Sequence, residues 1–223
     1  MTFSNWLKKD WPSLVILAAP FIALPFLWAQ LPDQVPMHWN IWGEVDSYGS
    51  KTSGLLFLPL INILLYALLL WAPTLDPKER LAWDQKPLPA FRFFMPLIFL
   101  LIHIAVLAEA MGVDAMAEGR MVMLIVSVLL LVIGNYLSTI QPNYFVGVRT
   151  PWTLEDPEIW RRTHRLAGRL WVTVSALLIV LWLVLPGSVW RTLFFGAILI
   201  DTLVPLGYSY YLYATGKRTS SAS

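Results

Sequence analysis

Six long apolar runs dominate the hydrophobic pattern of this chain. A membrane-spanning helix needs about 20 apolar residues, and only helices or closed barrels satisfy every backbone polar group in lipid. The runs are continuous rather than alternating, which argues against a barrel. The pattern therefore predicts an all-α membrane protein, a bundle of six transmembrane helices. The runs cover about Pro12–Gln30, Gly54–Ala72, Phe93–Met111, Met121–Ile140, Leu170–Pro186 and Trp190–Tyr213.

The composition supports this interpretation and removes several classes of function. Of 223 residues, 57% are hydrophobic and only 13% are charged, whereas a soluble domain carries roughly 25% charged residues. The chain has no cysteine, which excludes disulfides, thiolate metal sites and cysteine nucleophiles. A net charge of +2 does not suggest direct nucleic-acid binding, which needs a concentrated basic face.

The basic residues predict which way the chain crosses the membrane. With a cytoplasmic amino terminus, 13 of the 16 Lys and Arg residues lie in inner segments, and only three lie in outer ones. The positive-inside rule then places both termini in the cytoplasm. The first run follows Lys8 and Lys9, as a signal peptide would, but it is long and lacks a small-x-small cleavage site before Gln30. We therefore expect a retained anchor.

The outer loop, residues 31–53, is one of two connections long enough to carry a site. Pro32 and Pro36 favour an extended backbone, and Gly43 permits a tight turn. We expect a small cap of one or two turns over the outer membrane face. Such a cap could receive an extracellular ligand.

Three side chains of this loop are of types that bind zinc, namely His38, Glu44 and Asp46. A single histidine without a second one at a regular spacing is more typical of a hydrogen-bonded turn residue than of a metal ligand. We therefore expect neither a metal nor another cofactor.

The second long connection, residues 141–169, ends in a helix. Asp156 suits the N-cap, Pro157 suits the first helical position, and Glu158 complements the helix dipole. The helix is expected to continue into the fifth span. Its first turns carry four arginines, which suit a helix at the cytoplasmic headgroups: Arg161, Arg162, Arg165 and Arg169.

This inner loop strongly resembles the SdpI family of bacterial membrane proteins. The family's hallmark is Gly-Asn-Tyr, then Pro-Asn-Tyr-Phe-x-Gly-x-Arg-Thr-Pro-Trp-Thr-Leu, then Trp-x-x-Thr-His-x-x-x-Gly. Here these are residues 134–136, 142–154 and 160–168. The candidate binding residues of this inner-loop motif are Asn135, Tyr136, Pro142, Asn143, Gly147, Arg149, Thr150, Pro151, Trp152, Trp160, Thr163 and His164.

The outer loop supplies a second match. It is similar to the Pro-x-His-x-Asn-x-x-Gly-x-x-Asp-x-x-x-x-Lys element found ahead of that domain in longer relatives. Its candidate binding residues are Pro36, His38, Asn40, Gly43, Asp46 and Lys51. The two motifs divide the chain into residues 1–92, with two spans, the outer-loop motif and the following inner loop, and residues 93–223, an SdpI-like four-span region.

The resemblance implies a multi-pass protein of the inner, cytoplasmic membrane that gives immunity to a secreted antimicrobial or killing peptide. In some members it implies a second role in signal transduction, as a receptor that sequesters a cytoplasmic repressor. The expected partners are membrane lipids, a toxin peptide at the outer face and a repressor at the inner loop. No enzyme is expected, because no serine or acid stands at a spacing that makes His164 part of a triad.

Arg149 has two interpretations. Its charged fork suits a carboxylate, a phosphate headgroup or a partner. It could equally be a structural tie inside the loop.

Three polar residues lie near the middle of the second, third and sixth spans, namely Asn62, His103 and Asp201. Polar groups at this depth are costly and normally face a partner or a water-filled cavity. Their equal depth permits contact. They either fix helix packing or form the polar site of a small transporter, which is the alternative function.

Overall fold

The computed structural model describes residues 3–40, 42, 44–75, 88–113 and 120–220. These residues form seven helices and a two-stranded hairpin. All the described helices except the five-residue α5 are long and apolar enough to cross a membrane. The prediction of an all-α bundle of six transmembrane helices is confirmed. The elements are α1 (Phe3–Trp28), β1 (Gln34–Trp39), β2 (Val45–Ser50), α2 (Lys51–Leu75), α3 (Leu88–Ala110), α4 (Arg120–Leu137), α5 (Pro151–Glu155), α6 (Pro157–Trp182) and α7 (Gly187–Ser220).

Several helices extend beyond the apolar runs that predicted them, because hydropathy marks only the part of a helix that lies in hydrocarbon. The clearest case is α6. Its amino end is capped by the Asp156 carboxylate, which accepts hydrogen bonds from the backbone N–H of Glu158 at 2.7 Å and of Ile159 at 3.2 Å. The predicted start of this helix, well before the fifth span, is confirmed.

The outer loop folds as a β-hairpin rather than as the expected cap of turns. The strands pair antiparallel, with Gln34 opposite Ser50 and Trp39 opposite Val45. The hairpin rests directly on the start of α2. Val35 is fully buried there, and a Cβ on Gly54 would lie 2.6 Å from its Cγ1 atom.

The helices pack in two groups. Helices α1, α2 and α3 lie together beneath the hairpin, while α4, α6 and α7 form the second group. Contacts between α3 and α4 join the groups, and α5 lies against α6 and α7. The division of the chain at residue 92 stays a prediction, and residues 76–87 of the intervening loop lie outside the described residues.

Candidate functional site

The polar residues of the outer-loop motif stabilise the hairpin. His38 Nδ1 lies 2.5 Å from Asp46 Oδ1, which joins the two strands across the turn. The Asn40 side-chain oxygen accepts hydrogen bonds from the backbone N–H of Trp42 at 2.8 Å and of Glu44 at 3.1 Å. Its amide donates to the Glu44 carboxylate at 3.0 Å. These contacts join Asn40 to Trp42 and Glu44, whereas Gly43 lies outside the described residues.

Lys51 fixes the hairpin at its base. Its backbone N–H donates to the Asp33 carbonyl at 2.9 Å, and its ammonium lies 3.6 Å from the Asp33 carboxylate. The same ammonium lies 5.6 Å from the ring centre of Trp28, at the end of α1. Lys51 therefore holds the start of α2 beside the end of α1.

The three metal-ligand types of this loop do not converge. Glu44 is bonded to Asn40, whereas His38 is bonded to Asp46. No group of three or more His, Asp or Glu side chains that could hold a metal ion occurs among the described residues.

A cavity of about 340 Å³ lies between the hairpin and the helices below it. Pro36, His38 and Asn40 of the outer-loop motif contribute to its rim. Its walls come from α2, α3, α4 and α7 and are apolar. The wall residues include Phe57, Leu58, Ile102, Val106, Met123 and Phe195.

The inner-loop motif forms a compact turn centred on Asn143, which is fully buried. Its side-chain oxygen accepts hydrogen bonds from the backbone N–H of Phe145 and of Val146, both at 2.8 Å. Its amide donates to the carbonyls of Gln141 at 2.8 Å and Val146 at 3.2 Å. Both polar atoms of the Asn143 side chain thus form hydrogen bonds that shape the loop.

His164 locks this loop onto α6. Its Nδ1 lies 2.9 Å from the carbonyl of Trp160, and its Nε2 accepts a hydrogen bond from the backbone N–H of Val148 at 3.0 Å. Those two partners select the neutral tautomer with the proton on Nδ1. The ring stacks on Trp160 with centres 3.9 Å apart. Since both nitrogens are occupied, His164 is not poised as a base.

Gly147 makes room for this arrangement. It has a φ of +122°, and a Cβ on it would lie 2.2 Å from His164 Nε2. Trp160 is also tied to the loop, because its indole N–H donates to the carbonyl of Ile140 at 2.8 Å.

The Thr-Pro-Trp-Thr segment forms the short helix α5. Thr150 and Thr153 make a reciprocal capping box, and the Thr153 hydroxyl also donates to the Val148 carbonyl at 2.9 Å. Pro151 occupies the start of the helix. Trp152 reaches α7, where its indole donates to the Ser209 hydroxyl at 2.8 Å and its ring stacks on Tyr213.

Arg149 is exposed and donates to the carbonyl of Tyr144 at 2.5 Å. Of the two interpretations of Arg149, this contact favours a structural role inside the loop over ligand binding. The remaining members of the motif are distributed around the loop. Pro142 and Thr163 are buried, Tyr136 packs edge-on against Phe91, and Asn135 is exposed beside α6.

The two terminal glycines of the motif meet where α4 crosses α6. A Cβ on Gly168 would lie 2.8 Å from the carbonyl oxygen of Gly134, and a Cβ on Gly134 would lie 2.8 Å from Trp171 Cβ. Only small residues permit such a close approach of two helices in a membrane.

The three midplane residues are buried, but none hydrogen-bonds another. The Asn62 amide donates to the Pro96 carbonyl of α3 at 3.1 Å. His103 Nδ1 and both carboxylate oxygens of Asp201 have no hydrogen-bond partner among the described residues. Only the backbone carbonyl of Asp201 is used, as acceptor for the indole of Trp171. The Asn62 amide thus links α2 to α3, but its own side-chain oxygen also has no hydrogen-bond partner among the described residues. The choice between helix packing and a polar site stays a prediction for all three residues.

A buried ion pair was missed from the sequence. Arg92 Nε donates to Asp10 Oδ2 at 2.6 Å, and the Tyr66 hydroxyl donates to the same oxygen at 2.9 Å. The Arg92 side chain is only 1% exposed. This contact ties α1, α2 and α3 together, so Arg92 is not simply a basic residue of the inner loop. The sequence offered one signal for this pair: Asp10 lies just before the first apolar run, and Arg92 lies just before the third.

Two comparisons with known proteins found similarities to this chain. Residues 139–209 match the SdpI/YfhL protein family, and residues 15–63 match a domain of unknown function, DUF1648. Over 218 residues, 95% of this chain and 100% of the relative, the chain is 24% identical to the Immunity protein SdpI of Bacillus subtilis (strain 168). No solved structure matches the chain.

Proposed function

We propose that this chain, which matches the SdpI/YfhL protein family over residues 139–209, is a membrane immunity protein that protects its cell from a secreted antimicrobial peptide. The observation that carries the proposal is the alignment of nearly the whole chain with a full-length relative that is itself named an immunity protein. The role needs no catalytic group, and His164, the one histidine of the inner loop, has both ring nitrogens occupied.

The cavity of about 340 Å³ beneath the hairpin, which we call the outer cavity, is the part of the molecule best suited to receive the peptide. It lies beneath the hairpin, its walls are apolar, and polar groups of the outer-loop motif stand at its rim. Ligand sites typically combine an apolar interior with a few orienting polar groups. We infer that an apolar side chain of the peptide enters this cavity while the hairpin contacts the peptide backbone.

The test is a tolerance assay in a sensitive host that expresses the chain. The parent is expected to raise the peptide concentration needed for killing. Phe57→Gln, on the cavity wall, should remove most of the protection, whereas Leu64→Gln, two turns further along α2 and outside the cavity, should retain it. His38→Ala should weaken protection because it removes the contact with Asp46.

Two results would contradict these proposals at different levels. A well-expressed parent that protects against none of several killing peptides would overturn immunity itself. Equal protection by the parent and Phe57→Gln would leave immunity intact and overturn binding in the outer cavity. Arg149→Ala, in the same assay, reports whether the inner loop contributes.

A receptor role would use the opposite face. A cavity of about 670 Å³ lies between α5, the start of α6 and the end of α7, and Glu155, Asp156 and Glu158 contribute to its lining. Arg162 also lines it, Glu158 is paired with Arg161, and Asp156 caps α6, so Glu155 is the acid best placed to receive a basic segment of a cytoplasmic repressor. Membrane recruitment of a repressor encoded beside this chain, and its loss in Glu155→Lys/Glu158→Lys, would support the role. A repressor that stays soluble in the presence of the parent would contradict it.

The alternative function is transport through the bundle. It draws on Asp201, a buried carboxyl in a membrane-spanning helix with no hydrogen-bond partner for either oxygen among the described residues. Groups of this kind often mark proton or ion pathways. Transport predicts a peptide or ion flux that collapses with the membrane potential and is lost in Asp201→Asn. Protection that persists in de-energised cells would favour immunity by binding.

A further inference from the structure

A polar groove lies between α4 and α6 on the face opposite the outer hairpin, beside the crossing of Gly134 and Gly168. We call it the inner groove. It has a volume of about 490 Å³, and more than half of the residues around it are polar. Besides the two glycines, it is lined by Asn135, Ser138, Arg165, Arg169, Val172 and Thr173.

The two arginines of the inner groove differ from the other described arginines of α6. Arg161 is paired with Glu158 at 2.6 Å, and Arg162 donates to the hydroxyl of Tyr208 at 3.4 Å. Neither Arg165 nor Arg169 has an ion pair or a hydrogen bond to any described residue. They stand four residues apart, so both guanidinium groups project from one side of the helix. The groove contains no acidic side chain to neutralise them.

The other polar groups of the inner groove are also uncommitted. Asn135, Ser138 and Thr173 are exposed side chains that make no side-chain hydrogen bond within the described part of the chain. An amide and two hydroxyls beside two guanidiniums form a set of donors that suits a phosphate and its ester oxygens. The close crossing of the helices holds these donors at a fixed spacing.

The depth of the inner groove identifies the source of the phosphate. Beyond Arg169, α6 carries no charged residue up to its end at Trp182, and α4 carries none between Arg120 and its own end at Leu137. The groove therefore lies where two hydrophobic spans leave the hydrocarbon, at the level of the lipid headgroups. Val172 extends its wall toward the apolar side, where acyl chains lie.

We propose that the inner groove is a binding site for the headgroup phosphate of an anionic glycerophospholipid. The two guanidiniums bind the phosphate, and the amide and hydroxyl groups bind the glycerol and headgroup oxygens. An anionic lipid is favoured over a zwitterionic one because the groove holds two positive charges and no acid to receive a lipid ammonium. The site is independent of the proposed immunity and lies on the other face of the membrane from the outer cavity.

The experiment uses the full chain, purified in a neutral detergent and analysed by native mass spectrometry with added lipid. The probes are phosphatidylglycerol and phosphatidylcholine with identical acyl chains. We expect the parent to retain phosphatidylglycerol in preference to phosphatidylcholine. In Arg165→Gln/Arg169→Gln, phosphatidylglycerol binding should fall by roughly thirtyfold, the combined effect expected from two basic side chains at an anionic headgroup.

Two further variants distinguish binding in the inner groove from a general effect of positive charge and from a loss of folding. Arg161→Gln/Arg162→Gln removes the same charge from the same helix outside the groove and should keep the preference. Ser138→Leu fills the groove without changing charge and should lose it, while its unfolding temperature stays that of the parent. An equal loss in both arginine pairs, or no preference in the parent, would overturn the proposal.

A competition arm distinguishes lipid from free phosphate. Inorganic phosphate and glycerol 3-phosphate, added at the lipid concentration, should not displace phosphatidylglycerol, because the lipid also gains from its acyl chains along Val172. Displacement at equal concentration would overturn the lipid assignment and indicate a soluble phosphate ligand instead.

Discussion

His164 and Asn143 hold the inner loop by hydrogen bonds that use every polar atom of their side chains. Both belong to the family motif, and both looked from their residue types like ligand-binding groups. Their burial changes that interpretation, since a buried polar group left without a partner is costly. These two buried residues of the motif therefore build the loop.

Gly147→Ala tests this interpretation at one residue. The backbone has a φ of +122°, and the added methyl group would lie 2.2 Å from His164 Nε2. Either the backbone strain or the displaced ring should lower the free energy of unfolding by more than about 1 kcal/mol. Thermal unfolding in detergent measures the loss as a lower midpoint.

Gly196→Ala is the matched control, because nothing lies within 4 Å of the added methyl group and the residue sits inside α7. Its midpoint should stay level or rise, since alanine has the higher helix propensity. An equal drop in both variants would mean that Gly147 has no special role.

The sequence predicts some of these residue roles better than others. The Asp156 cap could be predicted because its partners lie two and three residues away along the chain. The Val148 partner of His164 is 16 residues away, and no local pattern specifies such a pairing. The motif thus drew attention to residues that shape the loop, whereas their role in binding stays a prediction.

Among the secondary-structure elements, the first three helices are joined by charge as well as by apolar packing. The Asp10–Arg92 pair connects α1 to α3, and the Tyr66 hydroxyl brings in α2. A buried ion pair contributes little net stability, but removing one partner leaves an uncompensated charge in a low-dielectric site.

Arg92→Met is expected to lower the free energy of unfolding by about 3–5 kcal/mol, the cost of breaking a buried pair. The double variant Asp10→Asn/Arg92→Met should recover much of that loss, because no unpaired charge remains. Unfolding of all three proteins in detergent, monitored by circular dichroism, measures the difference.

Arg161→Met serves as the surface comparison, since its pair with Glu158 is exposed on both sides. It should unfold at the temperature of the parent. A double variant no more stable than Arg92→Met would mean that Arg92 acts through packing rather than through its charge.

The elements were predictable in proportion to their length. Six apolar runs specify six helices because each run nearly fills a span. The hairpin was missed because its strands have six residues each and bury only Val35 and Pro36 of β1. Such short strands show no clear alternation, and Gly43 together with the polar residues after it suggested turns. The Asp10–Arg92 pair joins residues 82 positions apart, beyond any local signal.

For the whole molecule, the two motifs belong to opposite ends of the bundle. The hairpin follows the first crossing helix, and the inner loop follows the fourth, so crossings in alternating directions put them on opposite faces. The charge bias then predicts which face is cytoplasmic. Arg92 is buried against Asp10 and adds little to that bias, yet the other inner basic residues still greatly outnumber the three outer ones.

This topology can be tested with single cysteines, because the chain contains none of its own. Ser47→Cys lies in the hairpin and Gln141→Cys lies in the inner loop, and both positions are exposed. In right-side-out membrane vesicles, a membrane-impermeant maleimide should label Ser47→Cys at once and Gln141→Cys only after permeabilisation. Labelling of both in sealed vesicles would contradict six alternating crossings. The reverse order would keep the crossings and overturn the orientation, and the outer cavity would then face the cytoplasm, where a secreted peptide does not arrive.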